Sequence, residues 1–232
     1  MSISNKDLSI NYPDTKLITL FQKELLHWYY INGRKYPWRS PSATNYIRIV
    51  CEVLLKRTRA ETVASFAPDF FRKYPSWKKL SSASEQQLQA DLRPIGLWRQ
   101  RSTPLLNLAK VMASKYGRFP KERIEIESLP GVGQYTANAI LLFYFHRPEP
   151  LLDTNMSRVL ERYFGPRLLS DIRYDPYLQN LSKIVVNCDD PISINWAILD
   201  FAALVCTPTN LQCADCPITY SCKHFIAIQM SC

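Results

Sequence analysis

This sequence predicts an all-α protein, and three observations carry the prediction. Apolar residues recur at helical spacing in one segment after another, no stretch alternates apolar and polar residues as a strand does, and the segments are joined by turns containing proline or glycine. The 232 residues are enough for one large domain or two modest ones. No internal repeat or low-complexity segment interrupts the pattern.

Residues 1–14 read as a polar, loose leader ending near Pro13. Leu17, Leu20, Phe21, Leu25 and Trp28 then follow helical spacing, which predicts a helix over about 15–31 stopped by Gly33. Arg34 to Pro41 form a basic, aromatic, proline-punctuated loop. A second helix is expected over 46–57, apolar nearly all round and therefore central, with Glu52 as its one acidic interruption. Further helices are expected at about 60–72, 85–92 and 99–116, the last opened by Pro94-Ile95-Gly96-Leu97-Trp98-Arg99. Beyond residue 129 they are expected at 135–145, 155–164, 175–187 and 192–205.

The chain is organised around Leu129 to Arg158. Leu-Pro-Gly-Val-Gly-Gln-Tyr makes a tight hairpin between helices, where Gly131 and Gly133 allow positive φ and close backbone approach and Val132 turns inward. The amides of Gly131, Gly133 and Gln134 then stand at the N-terminus of a helix, an arrangement suited to a phosphate. Asp153 follows that helix by a short loop. It reads equally as a helix N-cap and as a catalytic carboxylate. Glu52 reads either as an ion-paired residue or as a buried carboxyl able to hold a proton.

Hydrophobic residues at 47% and charged residues at 21% describe a soluble globular protein. A net charge of +9 suits a polyanionic partner such as nucleic acid. The N-terminus lacks a signal peptide and no apolar run reaches the roughly 18 residues of a membrane span, so a reducing cytoplasm is expected. Cysteines there serve as ligands or thiols rather than disulfides. Cys206, Cys213, Cys216 and Cys222 are spaced C-x6-C-x2-C-x5-C, close enough for a soft metal centre. Their chemistry leaves zinc and a [4Fe–4S] cluster about equally open. Cys51 and Cys188 read as core residues and Cys232 as a terminal thiol.

Hairpin, aspartate and cysteine spacing, in that order, resemble the helix-hairpin-helix DNA glycosylases of the endonuclease III type. The resemblance spans about residues 20–222 and makes the cysteine site a structural [4Fe–4S] cluster. It implies a six-helix barrel at about 36–147 and a second helical domain from 15–35 plus 148–232, with the active site in the cleft between them. Lyase-competent members carry a lysine two places after the hairpin's second glycine; here that residue is Tyr135, and a phenol cannot form an imine. Tyrosine at this place is similar to the thymine glycosylases acting on T/G mismatches. Glu52-Val-Leu-Leu-Lys-Arg-Thr58 and Ile95-Gly-Leu-Trp-Arg-Gln-Arg101 match the same branch.

What the resemblance implies is a monofunctional base-excision glycosylase that binds double-stranded DNA as a monomer in the cytoplasm, at the nucleoid, and removes thymine or uracil opposite guanine. Asp153 would stabilise the oxocarbenium-like sugar, Glu52 would meet the extruded base, and Tyr135 would pack against it. Arg57 would fill the vacated space or touch the orphan guanine, with Leu97 or Trp98 wedging from the other side. One departure is the loop Thr207–Gln212, which lacks the basic residues the family usually has there. The rivals are a glycosylase for mismatched adenine or a modified pyrimidine, and a catalytically silent iron–sulfur DNA-binding module.

Overall fold

The computed structural model describes residues 10–230. Every regular element among them is helical, and the chain divides into two compact units, Arg34–Leu151 and a second one that runs to Gly33 and resumes at Leu152. Each unit has its own apolar core.

The discontinuous unit begins with α1 (Thr15–Asn32), capped by Asp14, whose carboxylate accepts from the Lys16 amide at 2.9 Å. The Arg34–Leu151 unit follows with α2 (Asn45–Leu55), α3 (Ala60–Lys73), α4 (Trp77–Ser81), α5 (Glu85–Leu92), α6 (Trp98–Ser114), α7 (Arg123–Glu127) and α8 (Gln134–Phe145). The chain then returns to the first unit through α9 (Thr154–Phe164), α10 (Pro176–Val186), α11 (Pro191–Leu204) and α12 (Lys223–Met230).

Helices that are apolar on every side occupy the centres. In one unit α2 and α8 pack together, with Ile49–Leu54 and Thr136–Phe143 buried without a break. In the other, α11 is central and packs against α1 and α9. Amphipathic helices surround them, and their ends carry the side chains expected of N-caps: Thr44, Ser76, Ser84, Asp153, Asp175 and Asp190 each accept a backbone amide. Asp175 is fully buried and takes three amides, from Leu168, Leu169 and Leu178.

Three differences from the sequence expectation have local causes. Helix α2 stops at Leu55, short of Arg57, because Lys56 leaves helical geometry and Arg57 is left-handed at φ 58°. Two short helices were not foreseen: α4, whose start the Ser76 hydroxyl caps, and α12 after the last clustered cysteine. Residues 10–14 are extended but packed, with Ile10 and Tyr12 against the core and the Tyr12 ring stacked on Tyr177. The rest of the expected leader, residues 1–9, and Cys232 lie outside the described residues. No described helix is long and apolar enough to cross a membrane.

Candidate active site

In the Arg34–Leu151 unit, the hairpin joins the one-turn α7 to α8 through Ser128–Gly133. Leu129 and Val132 are buried and anchor the turn. Gly131 is left-handed at φ 71°, and a Cβ there would stand 2.7 Å from Cβ of Pro104. Gly133 differs from the sequence expectation: its φ is an ordinary −105° and nothing lies within 4 Å of where its Cβ would be. The protein's own packing therefore gives no reason for glycine at 133. Gly133 is the cap of α8 and brings no side chain to its amides.

At the second residue of α8, the Tyr135 hydroxyl donates to Oε2 of Glu52 at 2.8 Å. Glu52 is 3% exposed, which settles its burial, while Tyr135 and Gln134 are half-buried. A carboxylate is placed at the centre of an apolar helix only where donors hold it, and this phenol is one of them. Burial lowers the affinity of Lys56 for its proton while the Glu52 charge opposes that shift, so the two sit within electrostatic reach. Lys56 Nζ also donates to the Gly131 carbonyl at 3.2 Å, tying the end of α2 to the hairpin.

Arg57 is exposed on the turn after α2. Leu97 is the cap residue of α6 and is likewise left-handed, at φ 50°. Trp98 is half-buried against the core, with Arg93 and Arg99 stacked on its ring at 5.3 and 4.2 Å.

In the other unit Asp153 caps α9, as half of the sequence reading anticipated. Its Oδ1 accepts from the amides of Asn155 and Met156 at 2.9 and 2.8 Å, and its Oδ2 accepts from Asn155 Nδ2 at 2.7 Å. Burial raises its proton affinity above the ordinary aspartate range, and those three donors oppose the shift. A hydrogen-bonded path leads onward, because Arg158 donates to Asn155 Oδ1 at 3.3 Å and, through Nε, to the Cys206 carbonyl at 2.9 Å.

Cys206, Cys213, Cys216 and Cys222 line a single cavity whose other walls include Val159, Tyr163, Phe201 and Phe225. No group of three or more His, Cys, Asp or Glu among the described residues is arranged to hold a metal ion. The loop after Cys206 lacks basic residues of its own, yet Arg162 of α9 donates to the carbonyl of Thr207 at 2.7 Å and to Cys206 Sγ at 3.3 Å. Positive charge reaches that loop from a neighbouring helix.

Sequence reasoning missed Lys56, Arg101, Asn155, Arg158 and Arg162. The pair Arg158 and Arg162, four apart on the helix that Asp153 opens, was the available signal.

The hairpin and the buried carboxylate belong to one unit and the capping aspartate to the other, and similarity to known proteins gives the family. Residues 50–171, more than half of the chain, match the HhH-GPD superfamily of base excision DNA repair proteins, and the chain belongs to that family. It is 35% identical to a thymine-DNA glycosylase of Aeropyrum pernix over 92% of this chain and 98% of that protein. A thymine/uracil-DNA glycosylase of Pyrobaculum aerophilum is also 35% identical, over 86% of this chain and 89% of its own. Among solved structures, a thermostable thymine-DNA glycosylase superposes with a TM-score of 0.83 at 30% identity, covering 91% of this chain and 98% of that one.

Proposed function

We propose that this chain is a monofunctional DNA N-glycosylase that extrudes thymine or uracil mispaired with guanine and hydrolyses its bond to deoxyribose. The observation that carries the reading is the Tyr135–Glu52 hydrogen bond at the start of α8. It puts a phenol and a buried carboxylate at the end of a phosphate-binding turn, where a lyase needs a free amine. The names of the relatives point the same way.

The exposed turn at Gly131–Gly133 and the uncapped start of α8 take a backbone phosphate of duplex DNA. A mispaired pyrimidine leaves the stack at low cost, which contributes selectivity. Glu52, oriented by Tyr135, meets the polar edge of the base. As the N1–C1′ bond breaks, its electron pair leaves with the base and positive charge develops on the sugar. The Asp153 carboxylate stabilises that charge and accepts a proton from the water whose oxygen bonds to C1′. The departing base takes up a proton at N1, balancing the one held by Asp153, and the products are free base and an abasic site. Tyr135 has no amine to attack C1′, so the DNA strand stays intact. We read the two compact units as two domains.

The cysteine cavity fits a [4Fe–4S] cluster by its donor chemistry, since four soft sulfurs surround a largely apolar space. Cys206, Cys213, Cys216 and Cys222 would hold it. When bound, it would cross-link Cys206, just after α11, to the loop carrying Cys213 and Cys216 and to Cys222, just before α12.

The test is single-turnover base release from duplexes carrying T/G, U/G, A/G or an oxidised pair, read by strand cleavage with and without alkali. Release from T/G and U/G, visible only after alkali, is expected. Preference for A/G or an oxidised base would change the substrate, prompt nicking would contradict the Tyr135 argument, and no release from any duplex would leave a silent DNA-binding module.

A further inference from the structure

Three exposed turns of the Arg34–Leu151 unit are tied together around one buried guanidinium. Arg101, 6% exposed, donates through Nη1 to the carbonyls of Ile95 and Gly96 at 3.1 and 2.9 Å. Through Nη2 it donates to the Lys56 carbonyl and to Thr58 Oγ1. The Thr58 hydroxyl in turn donates to the Ile95 carbonyl at 3.4 Å. Lys56 extends the network to the hairpin through its bond to the Gly131 carbonyl at 3.2 Å.

Each segment that Arg101 grips contains a residue in an unfavourable conformation. Arg57 lies between Lys56 and Thr58, and Leu97 follows Gly96; they are two of four non-glycine residues with positive φ in the described chain. A left-handed leucine persists only where its surroundings over-determine it. Every hydrogen-bond partner of Arg101 is a neutral carbonyl or hydroxyl oxygen, and its Nε has none. Burying a cation without a carboxylate is a costly way to fill a core, and an apolar side chain of similar volume would do it better. A planar fork of donors holds carbonyls of two separate segments at once in a fixed geometry that a lysine ammonium does not impose.

We infer that Arg101 is a positioning residue that locks the Arg57 turn to the Gly96–Leu97 turn, so that both side chains enter the duplex as one preset pair when the target base is extruded. The inference rests on the glycosylase reading and adds the step it controls. Rigidity in the pair means that inserting them costs little further ordering, and the target base is kept from returning to the stack.

The test compares wild type with Arg101→Lys, Arg101→Met and the milder Thr58→Val. The readouts are affinity for undamaged duplex, fluorescence of 2-aminopurine beside the target pyrimidine, and single-turnover release of uracil from duplex and from single-stranded DNA. All are measured well below each variant's Tm. The variants should bind undamaged duplex within about twofold of wild type. Arg101→Met should lose at least tenfold of both the 2-aminopurine response and the release from duplex, Arg101→Lys should remain impaired, and Thr58→Val should shift both in the same direction by less. Release from single strands, where no base need be unstacked from a partner, should fall by less than threefold. Equal losses on duplex and single strand, or an unchanged 2-aminopurine response, would overturn the assignment. Should wild type release no base, the enzyme reading fails, while the 2-aminopurine response still decides the role of Arg101.

Discussion

The two glycines of the hairpin make a paired prediction, because the fold needs only one of them. In Gly131→Ala the new methyl carbon would lie 2.7 Å from Cβ of Pro104, with the backbone at φ 71°. A left-handed alanine costs about 1–2 kcal/mol. Pro104 sits inside α6 and has little room to yield, so overpacking adds roughly 1–2 kcal/mol more. The expected loss is about 2–4 kcal/mol, a fall in Tm of the order of 10 °C. Gly133→Ala meets ordinary backbone geometry and open space, so its folding should change by less than about 0.5 kcal/mol. Its methyl group would stand where a phosphate approaches the start of α8. Losing one charge-assisted amide bond there, worth about 1.5–3 kcal/mol, weakens DNA binding roughly ten- to a hundredfold. Thermal unfolding and duplex titration at fixed salt separate the two effects. Wild-type DNA affinity in Gly133→Ala, or wild-type stability in Gly131→Ala, would refute the reasoning.

Asp153→Asn keeps a good N-cap for α9 and should fold normally and bind DNA, yet lose about a hundredfold or more in base release; undiminished release would remove Asp153 from catalysis. Because burial raises the Asp153 proton affinity, its ionised form is lost as pH falls through a value above the ordinary aspartate range, and release should decline along that limb. The sign for stability is opposite to that of a salt-bridged aspartate: the folded state holds the proton more tightly, so stability from this group falls as pH rises through the raised value. Asn155→Ala removes a donor to Oδ2 and should move the limb of the pH–rate profile upward, an unmoved limb counting against the assignment. Tyr135→Lys puts an amine at the lyase position and should allow borohydride trapping of a covalent DNA complex; no trapped complex would argue that position alone does not confer the activity. The purified protein should be brown, and Cys216→Ser should bleach it and lower its iron content, whereas a colourless, zinc-containing wild type would displace the [4Fe–4S] proposal.

Periodicity, caps and the hairpin were legible because they are local. The 3.6-residue repeat of apolar side chains, an Asp before α9 and Pro-Gly-Val-Gly each declare themselves within a few residues, and Cys206 to Cys222 lie within one stretch of chain. The short helices α4 and α12 escaped because each has too few turns to show a period.

The sequence by itself determined an all-α chain, the family it belongs to, and the residue types that carry the chemistry. Tertiary structure alone decided which of two meanings each held. Glu52 could have been partly exposed, and burial beside the Tyr135 hydroxyl, 83 positions away in sequence, excludes that. Gly131 and Gly133 look alike in the sequence, yet only Gly131 faces another helix. Arg101 gave no signal, because its acceptors lie on turns that become neighbours only when α2 and α6 pack. Hydrogen bonds between distant segments depend on three-dimensional proximity, and a linear pattern records only what each residue's near neighbours share.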